Sequence, residues 1–328
     1  EFNTPFDLNN GPLIRARLIC NDIDDHALLI TVHHIVFDGW SSGILYKELC
    51  TNYEDLLNNV PSRLPDLGIQ YSDYSFWQSA PARGAVFDHQ LQYWKNKLAD
   101  ISNLEIPADH PRTASINFQG ISMERRLPES LTHKLRKLGH NHGATIFIIL
   151  LAAFNALMHR YTGNEDIVVG TPVITRNRPE LENLIGMFVN MLVLRTTVSK
   201  TQSFRNLLSS VRNTVLEAHD NADIPFEKLV KELKPERVAK SNPFFQVLFG
   251  MDMAYQSALN TRRELPGLTA SIMREDSHIT RFDMEAYVRD TEGGITLQFV
   301  CRDDFYDKNT VDRMLNHYVR ILESASNE

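Results

Sequence analysis

The chain reads as an α/β protein built on a mixed sheet in two layers. Three observations point there. Short β-branched or alternating apolar runs interleave irregularly with runs of helical period, which argues against a clean parallel barrel. The 328 residues are 43% hydrophobic and 23% charged, enough for a sizeable core in one large domain or two lobes. A break over residues 61–68, bearing Pro61, Pro65 and Gly68, separates a short first part from a longer, more regular second part. The expected domains are residues 1–67 and 68–328.

Taken in order, residues 13–20 and 27–32 are strand candidates joined by the acidic, turn-rich residues 21–25, and they should pair as a hairpin. The second of these reads as a buried strand. Asp38-Gly39 is a turn signal. Beyond it Ile44, Leu45, Leu49, Tyr53, Leu56 and Leu57 recur at helical spacing, with Ser41 or Ser42 placed to cap the helix. After the break, Tyr71, Tyr74 and Trp77 sit three apart in a helical turn and should bury together. Phe87, Leu91, Trp94 and Leu98 form an amphipathic stripe. Residues 106–113 read as an extended connector.

The second part is regular. Strands are expected over residues 120–127, 166–173, 188–196, 244–251, 282–288 and 295–301, the last two joined by a Glu292-Gly293-Gly294 hairpin turn. Helices are expected around Leu131–Leu138, Phe204–Val215, Phe226–Leu233 and Val311–Leu322. A nearly all-apolar helix over residues 146–161, capped by Thr145 and stopped by Gly163, should be buried.

The net charge of −7 argues against nucleic acid and against an anionic membrane surface. The longest apolar run, residues 146–154, is too short to span a bilayer. Cys20, Cys50 and Cys301 are scattered, odd in number and without metal-ligand spacing, so they read as free thiols in a reducing, cytoplasmic setting. No secretory leader is read, and the opening residues look like the interior of a larger domain.

The chemistry concentrates in Thr31-Val32-His33-His34-Ile35-Val36-Phe37-Asp38-Gly39-Trp40-Ser41. Two histidines end a strand, a turn follows and a helix leaves. Side chains alternate faces along a strand, so His34 is expected to share a face with Val32, Ile30 and Leu28 while His33 points the other way. Such a pair cannot easily chelate one metal, and no metal is expected. One histidine can meet substrate while the other is held inside. His110, His133, His140, His142 and His159 read as surface or packing residues.

This stretch resembles the His-His-x-x-x-Asp-Gly signature of nonribosomal peptide synthetase condensation domains. Further passages resemble the family in the same order and cover essentially the whole chain. They are Pro5-Phe6-Asp7-Leu8 with Gly11-Pro12-Leu13, and Tyr71-Ser72-Asp73-Tyr74-Ser75-Phe76-Trp77-Gln78. Then come Gly170-Thr171-Pro172-Val173, Arg176-Asn177-Arg178-Pro179-Glu180 and Ile185-Gly186-Met187-Phe188-Val189-Asn190. The last are Asp223-Ile224-Pro225-Phe226-Glu227 and Ser241-Asn242-Pro243-Phe244-Phe245-Gln246. Asn221-Ala222-Asp223 departs from the family's His-Gln-Asp, and Lys240-Ser241 stand where its Ser-Arg precedes Asn242. Two motifs the family carries further upstream are missing, so the resemblance implies a first lobe incomplete at its N-terminus.

The resemblance implies chloramphenicol acetyltransferase-like lobes and amide-bond formation between substrates borne by two carrier proteins. The active site would be a tunnel between the lobes. No cofactor would bind directly; substrates would arrive on phosphopantetheine arms of donor and acceptor peptidyl carrier proteins, beside an adjoining adenylation domain. An imidazole, with an ordinary pKa of about 6.5, suits either orienting the attacking amine and taking its proton or stabilising the charged tetrahedral intermediate, and the resemblance does not choose between them. His34 is the expected catalytic residue, with Gly39 offering a backbone N–H to the substrate. His33 and Asp38 are expected to support the site, with Arg178 as the carried-over partner of Asp38 and Arg176 as the alternative. Trp40 and Asn242 would line the tunnel, Asn242 being equally readable as a turn residue before Pro243. Asp-Gly-Trp-Ser resembles ordinary condensation of an L-aminoacyl or peptidyl donor; the cyclising branch has aspartate where His33 stands. The truncated chain alone is expected to be inactive. Two alternatives remain open at this level: a coenzyme A-dependent acyltransferase of the same superfamily, and a non-catalytic docking scaffold.

Overall fold

The computed structural model describes residues 4–80, 83–112, 118–234, 242–252, 263–273, 279–291 and 293–327. The chain forms two compact units. The first comprises Glu1–Ala80, Arg176–Val189 and Tyr255–Met273; the second comprises Pro81–Thr175, Asn190–Ala254 and Arg274–Glu328.

In the first unit, β1 (Ile14–Cys20) and β2 (His26–Val32) form an antiparallel ribbon with Ile14 opposite Val32 and Cys20 opposite His26. The expectation of a buried second strand is not met. Ile14, Leu18, Ile19, Leu28 and Leu29 are between 40% and 65% exposed, because the ribbon has only two strands and both its faces carry apolar residues. Helix α1 (Gly39–Leu57) follows, then α2 (Tyr71–Ser79).

The break between these helices does not end the unit, contrary to a division at residue 68. Asp55, buried near the end of α1, accepts the Arg63 N–H at 2.7 Å and pairs with its guanidinium, which folds the break back onto the helix. The aromatic face of α2 then buries against residues 176–189. Tyr74 lies 4.7 Å from Phe188 between ring centroids, and Leu181 and Leu184 complete the cluster. Two short strands, β7 (Arg263–Leu265) and β8 (Leu268–Ala270), pair with each other and join α1 through Arg263–Glu54 and the Tyr53 hydroxyl, which donates to Pro266 O.

The second unit is a six-stranded sheet with helices packed in one core. In chain order its elements are α3 (Gly84–Lys97), β3 (Gly120–Arg126), α4 (Glu129–His142), α5 (Ile146–Thr162), β4 (Asp166–Ile174) and β5 (Val189–Thr197). They continue with α6 (Phe204–Asp220), α7 (Phe226–Leu233), β6 (Val247–Asp252), β9 (Met284–Thr291), β10 (Gly294–Arg302) and α8 (Lys308–Ala325). The sheet order is β3-β10-β9-β6-β4-β5. Strand β10 is antiparallel to both β3 and β9, whereas β6 runs parallel to β9 and β4, so the sheet is mixed as the irregular interleaving implied.

Helix α5 is the centre of the core. Thr145 accepts the Ile148 N–H at its start, and Gly163 ends it at a φ of +73°, a conformation that favours glycine. Ile149 to Phe154 are fully buried in sequence, as expected of a helix apolar on most sides. Among the described residues no single helix is long and apolar enough to cross a membrane. Thr113, Ser241 and Glu292, which fall in the expected connector, in the passage around Asn242 and in the β9–β10 turn, lie outside the described residues.

Strands β4 and β6 approach closely because residue 170 has no side chain. A Cβ on Gly170 would fall 2.0 Å from Cε2 of the fully buried Phe245. We therefore expect Gly170→Ala to destabilise the fold by about 1–3 kcal/mol in denaturant unfolding. Combining it with Phe245→Leu should recover part of the loss, since both changes act on one contact. Additive losses would show that the overlap is relieved elsewhere.

Candidate active site

The histidine stretch does not continue the strand. Strand β2 ends at Val32, His33 is extended at φ −71°, ψ 132°, and His34–Val36 form a single 3₁₀ turn. The alternation that would set the two histidines on opposite faces therefore stops one residue too early. The turn achieves the separation by another route. His33 is half-buried, its Nδ1 accepts the Ile35 N–H at 3.1 Å, and its ring meets Phe6 edge-on at 5.7 Å. His34 is exposed.

Helix α1 is capped by Asp38, not by Ser41 or Ser42. Asp38 has extended backbone, and its Oδ1 accepts the Ser41 N–H at 2.8 Å, the N-cap geometry of an acidic residue. The same carboxylate does more. Ser41 Oγ donates to Oδ1 at 2.7 Å, and the Phe188 N–H donates to Oδ2 at 3.0 Å. Arg176 donates through Nη2 to both oxygens, at 3.1 and 3.3 Å. The pair is enclosed, with 1% and 0% side-chain exposure for arginine and aspartate.

Arg176 is thus the partner of Asp38, and the assignment of that role to Arg178 is corrected. The reason is local. Arg176 Nη1 donates to Leu181 O and Leu184 O at 2.5 and 2.7 Å, so both terminal nitrogens are held, Nη1 by the loop that follows β4 and Nη2 by Asp38. The guanidinium also stacks 3.9 Å from the Phe188 ring centroid. Two residues on, Arg178 points instead to Trp77, 4.8 Å from its ring centroid. Burial holds the Arg176 pKa below its ordinary value and Asp38 pulls it back up; the group stays charged at neutral pH.

Around this pair the motifs resolve into contacts. Trp40, expected along a tunnel, donates its indole N–H to Glu182 O at 2.9 Å and lies 6.0 Å from the Arg176 guanidinium. Ser41 Oγ accepts the Gly186 N–H at 3.0 Å, and Tyr71 donates its hydroxyl to Met187 O at 2.9 Å. Gly186 must be glycine for a steric reason: a Cβ there would sit 2.2 Å from the Tyr71 ring. Gly39 is the first residue of α1, so its N–H precedes the intrahelical ladder.

Asn190 and Asn242 belong to the second unit. Asn190 Nδ2 donates to Ala222 O and Ile224 O, both at 2.9 Å, and its Oδ1 accepts the Phe226 N–H. Those partners are backbone groups, so the unusual Asn221-Ala222 leaves the connection intact. Asn242 Oδ1 accepts the Phe244 and Phe245 N–H groups at 3.1 and 3.3 Å, so its amide oxygen shapes the turn before β6. Sequence reasoning missed Ser41 as a hub, the brace of Phe6 on His33, and the choice between Arg176 and Arg178. The only signal for the last was that both arginines lie in one short passage.

The chain belongs to the condensation-domain family, whose family model matches residues 1–328. It is 40% identical over 326 residues to a linear gramicidin synthase protein of Brevibacillus parabrevis, covering 98% of this chain and 4% of that protein. Tyrocidine synthase 3 of the same organism is 36% identical over 329 residues, covering 100% and 5%. The chain therefore spans only a small part of the length of these relatives. Among solved structures, the X-domain from teicoplanin biosynthesis superposes with a TM-score of 0.89 at 24% identity, covering 99% of this chain and 74% of that one. The first condensation domain of the CDA synthetase gives 0.76 at 22%, covering 98% and 69%. The fold is the chloramphenicol acetyltransferase-like α/β fold of these neighbours.

Removing one member of a buried, hydrogen-bonded ion pair costs about 3–5 kcal/mol. Arg176→Met and Asp38→Ala should each lower stability on that scale, and the double variant should lose less than their sum. Arg178→Ala should cost less than about 1 kcal/mol, since it removes a half-exposed stacking contact. Thermal and denaturant unfolding of the four variants decides this; a large loss for Arg178→Ala with none for Arg176→Met would reverse the assignment.

Proposed function

We propose that this chain forms an amide bond between two carrier-borne substrates in nonribosomal peptide synthesis. The observation that carries the reading is His34: an exposed imidazole on a one-turn helix, held on one side by the capped ring of His33 and on the other by the buried Asp38. The acceptor amine nitrogen attacks the donor thioester carbon. His34 orients that amine and takes its proton as the tetrahedral intermediate forms; the C–S bond then breaks and the departing thiolate is protonated. The N–H of Gly39, at the start of α1, is the donor proposed for the developing oxyanion. A thioester is already activated, so neither a nucleophilic side chain nor a metal is needed. Asp38, Arg176, Ser41 and Trp40 hold the turn and touch no reacting atom.

The partners in this reading are a donor and an acceptor carrier protein with phosphopantetheine arms and a neighbouring adenylation domain, in the cytoplasm. Family membership supports it, as does the histidine motif; the substrates joined are a separate matter.

The test is an amide-forming assay with two loaded carrier proteins, made in the synthetase module that carries this chain, since the chain by itself is expected to be inactive, and run beside acetyl- and aminoacyl-coenzyme A as donors. We expect turnover only with carrier-borne donors, and His34→Ala should lower it by on the order of 10²–10⁴-fold, the range for a lost general base, with the melting temperature unchanged. Full activity of a folded His34→Ala variant would overturn the assignment of that residue. Preference for coenzyme A would make the protein a free acyltransferase.

A further inference from the structure

We propose that Phe6 and Arg15 are positioning residues for the reaction, acting through His33 on the turn that carries His34. This rests on the reading of His34 above.

A three-residue 3₁₀ turn has little stability of its own. Two backbone bonds close it, from Val36 N to His33 O at 3.2 Å and from Phe37 N to His34 O at 3.3 Å. The next donor, Ile35 N–H, has no backbone acceptor inside so short a turn and goes to His33 Nδ1. That bond requires Nδ1 to be an acceptor. A neutral imidazole has one donor and one acceptor nitrogen, so the proton of His33 sits on Nε2. The bond also requires a fixed ring plane, and histidine χ2 is soft.

Phe6 supplies the fixing contact. Its ring stands at 85° to the His33 ring, 5.7 Å between centroids, an edge-to-face pair. Phe6 lies before β1 in an irregular segment, so it needs an anchor of its own. Arg15 provides it: the guanidinium carbon lies 3.9 Å from the Phe6 ring centroid, while its nitrogens donate to Thr4 O at 2.7 Å and Pro5 O at 3.3 Å. Arg15 pairs across the ribbon with Thr31, two residues before His33.

The burial pattern of β1 gives independent support. Arg15 is the one half-buried side chain of that strand; Ile14, Leu18 and Ile19 are exposed. A strand that exposes its apolar residues and shelters an arginine has placed that arginine for a contact. The order of action is Arg15 on Phe6, Phe6 on His33, His33 on Ile35 N–H, and the resulting turn on His34. Neither Phe6 nor Arg15 is argued to touch substrate.

The experiment has two readouts. The first is ¹⁵N NMR of the His33 ring, which reports the tautomer without any assay. The wild type should show a bare Nδ1 and a protonated Nε2. Phe6→Leu and Arg15→Met should each produce a mixture of tautomers, and Phe6→Tyr, which keeps the ring, should restore the wild-type spectrum. The second is steady-state amide formation with loaded carrier proteins, measured in the synthetase module that carries this chain. Phe6→Leu and Arg15→Met should lower kcat on the order of tenfold with KM unmoved, as expected of a misplaced but intact catalytic group. Phe6→Tyr should recover the rate. Using two variants at different positions guards against a single misfolded one, and circular dichroism checks each. A His33 protonated on Nδ1, or variants with wild-type His33 signals and wild-type kcat, would overturn the proposal. If His34→Ala is fully active, the functional reading fails while the tautomer readout still decides whether the stack orders the turn.

Discussion

A single buried carboxylate organises the first unit. Asp38 has no side-chain exposure, and a charge taken out of water on that scale is costly unless every lone pair is used. Four donors use them: the Ser41 N–H, the Ser41 hydroxyl, the Phe188 N–H and the Arg176 guanidinium. Those donors come from the start of α1 and from the loop after β4, well over a hundred residues later in the chain. The carboxylate therefore does three jobs at once. It caps a helix, neutralises a buried arginine and fixes the distance between two segments that share no secondary structure. An aspartate reaches all four donors where a longer or uncharged side chain would leave at least one unpaired.

His34 inherits its position from this arrangement. The turn His34–Val36 sits between two fixed ends, the end of β2 and the first residue of α1. At the first end His33 caps Ile35, and at the second Asp38 starts the helix. An imidazole presented to solvent from so short a turn would otherwise wander over several rotamers and backbone states. Rigid support of an exposed side chain is what the role proposed for His34 requires, and the support lies within one unit of the fold.

Much of the fold was legible in the sequence, because patterning and turn chemistry speak locally. The all-apolar helix α5, with Thr145 and Gly163 at its ends, and the stripe through Phe87, Leu91 and Trp94 were fixed by periodicity alone. The packing of Tyr71, Tyr74 and Trp77 followed from their spacing, although that they pack on Phe188 did not. What escaped was long-range or depended on backbone detail. Arg176 and Arg178 are equivalent as sequence; only the carbonyls of Leu181 and Leu184, gathered by a loop whose shape no local rule gives, select the first. The two-face account of the histidines carried the strand through His34, two residues beyond its end at Val32, where a 3₁₀ turn replaces the alternation. The break at residues 61–68 carried every mark of a boundary, yet Asp55 folds it back. The apolar residues of β2 predicted burial, which a two-stranded ribbon does not provide.

The central claim is that Asp38 ties Ser41 and Phe188 into one cooperative unit. Native-state hydrogen exchange of those two amides tests it most directly, since both donate to the same carboxylate. The account predicts that the Ser41 and Phe188 N–H groups exchange slowly, with a common opening free energy, and that Arg176→Met accelerates both by the same factor. Unequal protection in the wild type, or acceleration of one amide alone, would contradict it.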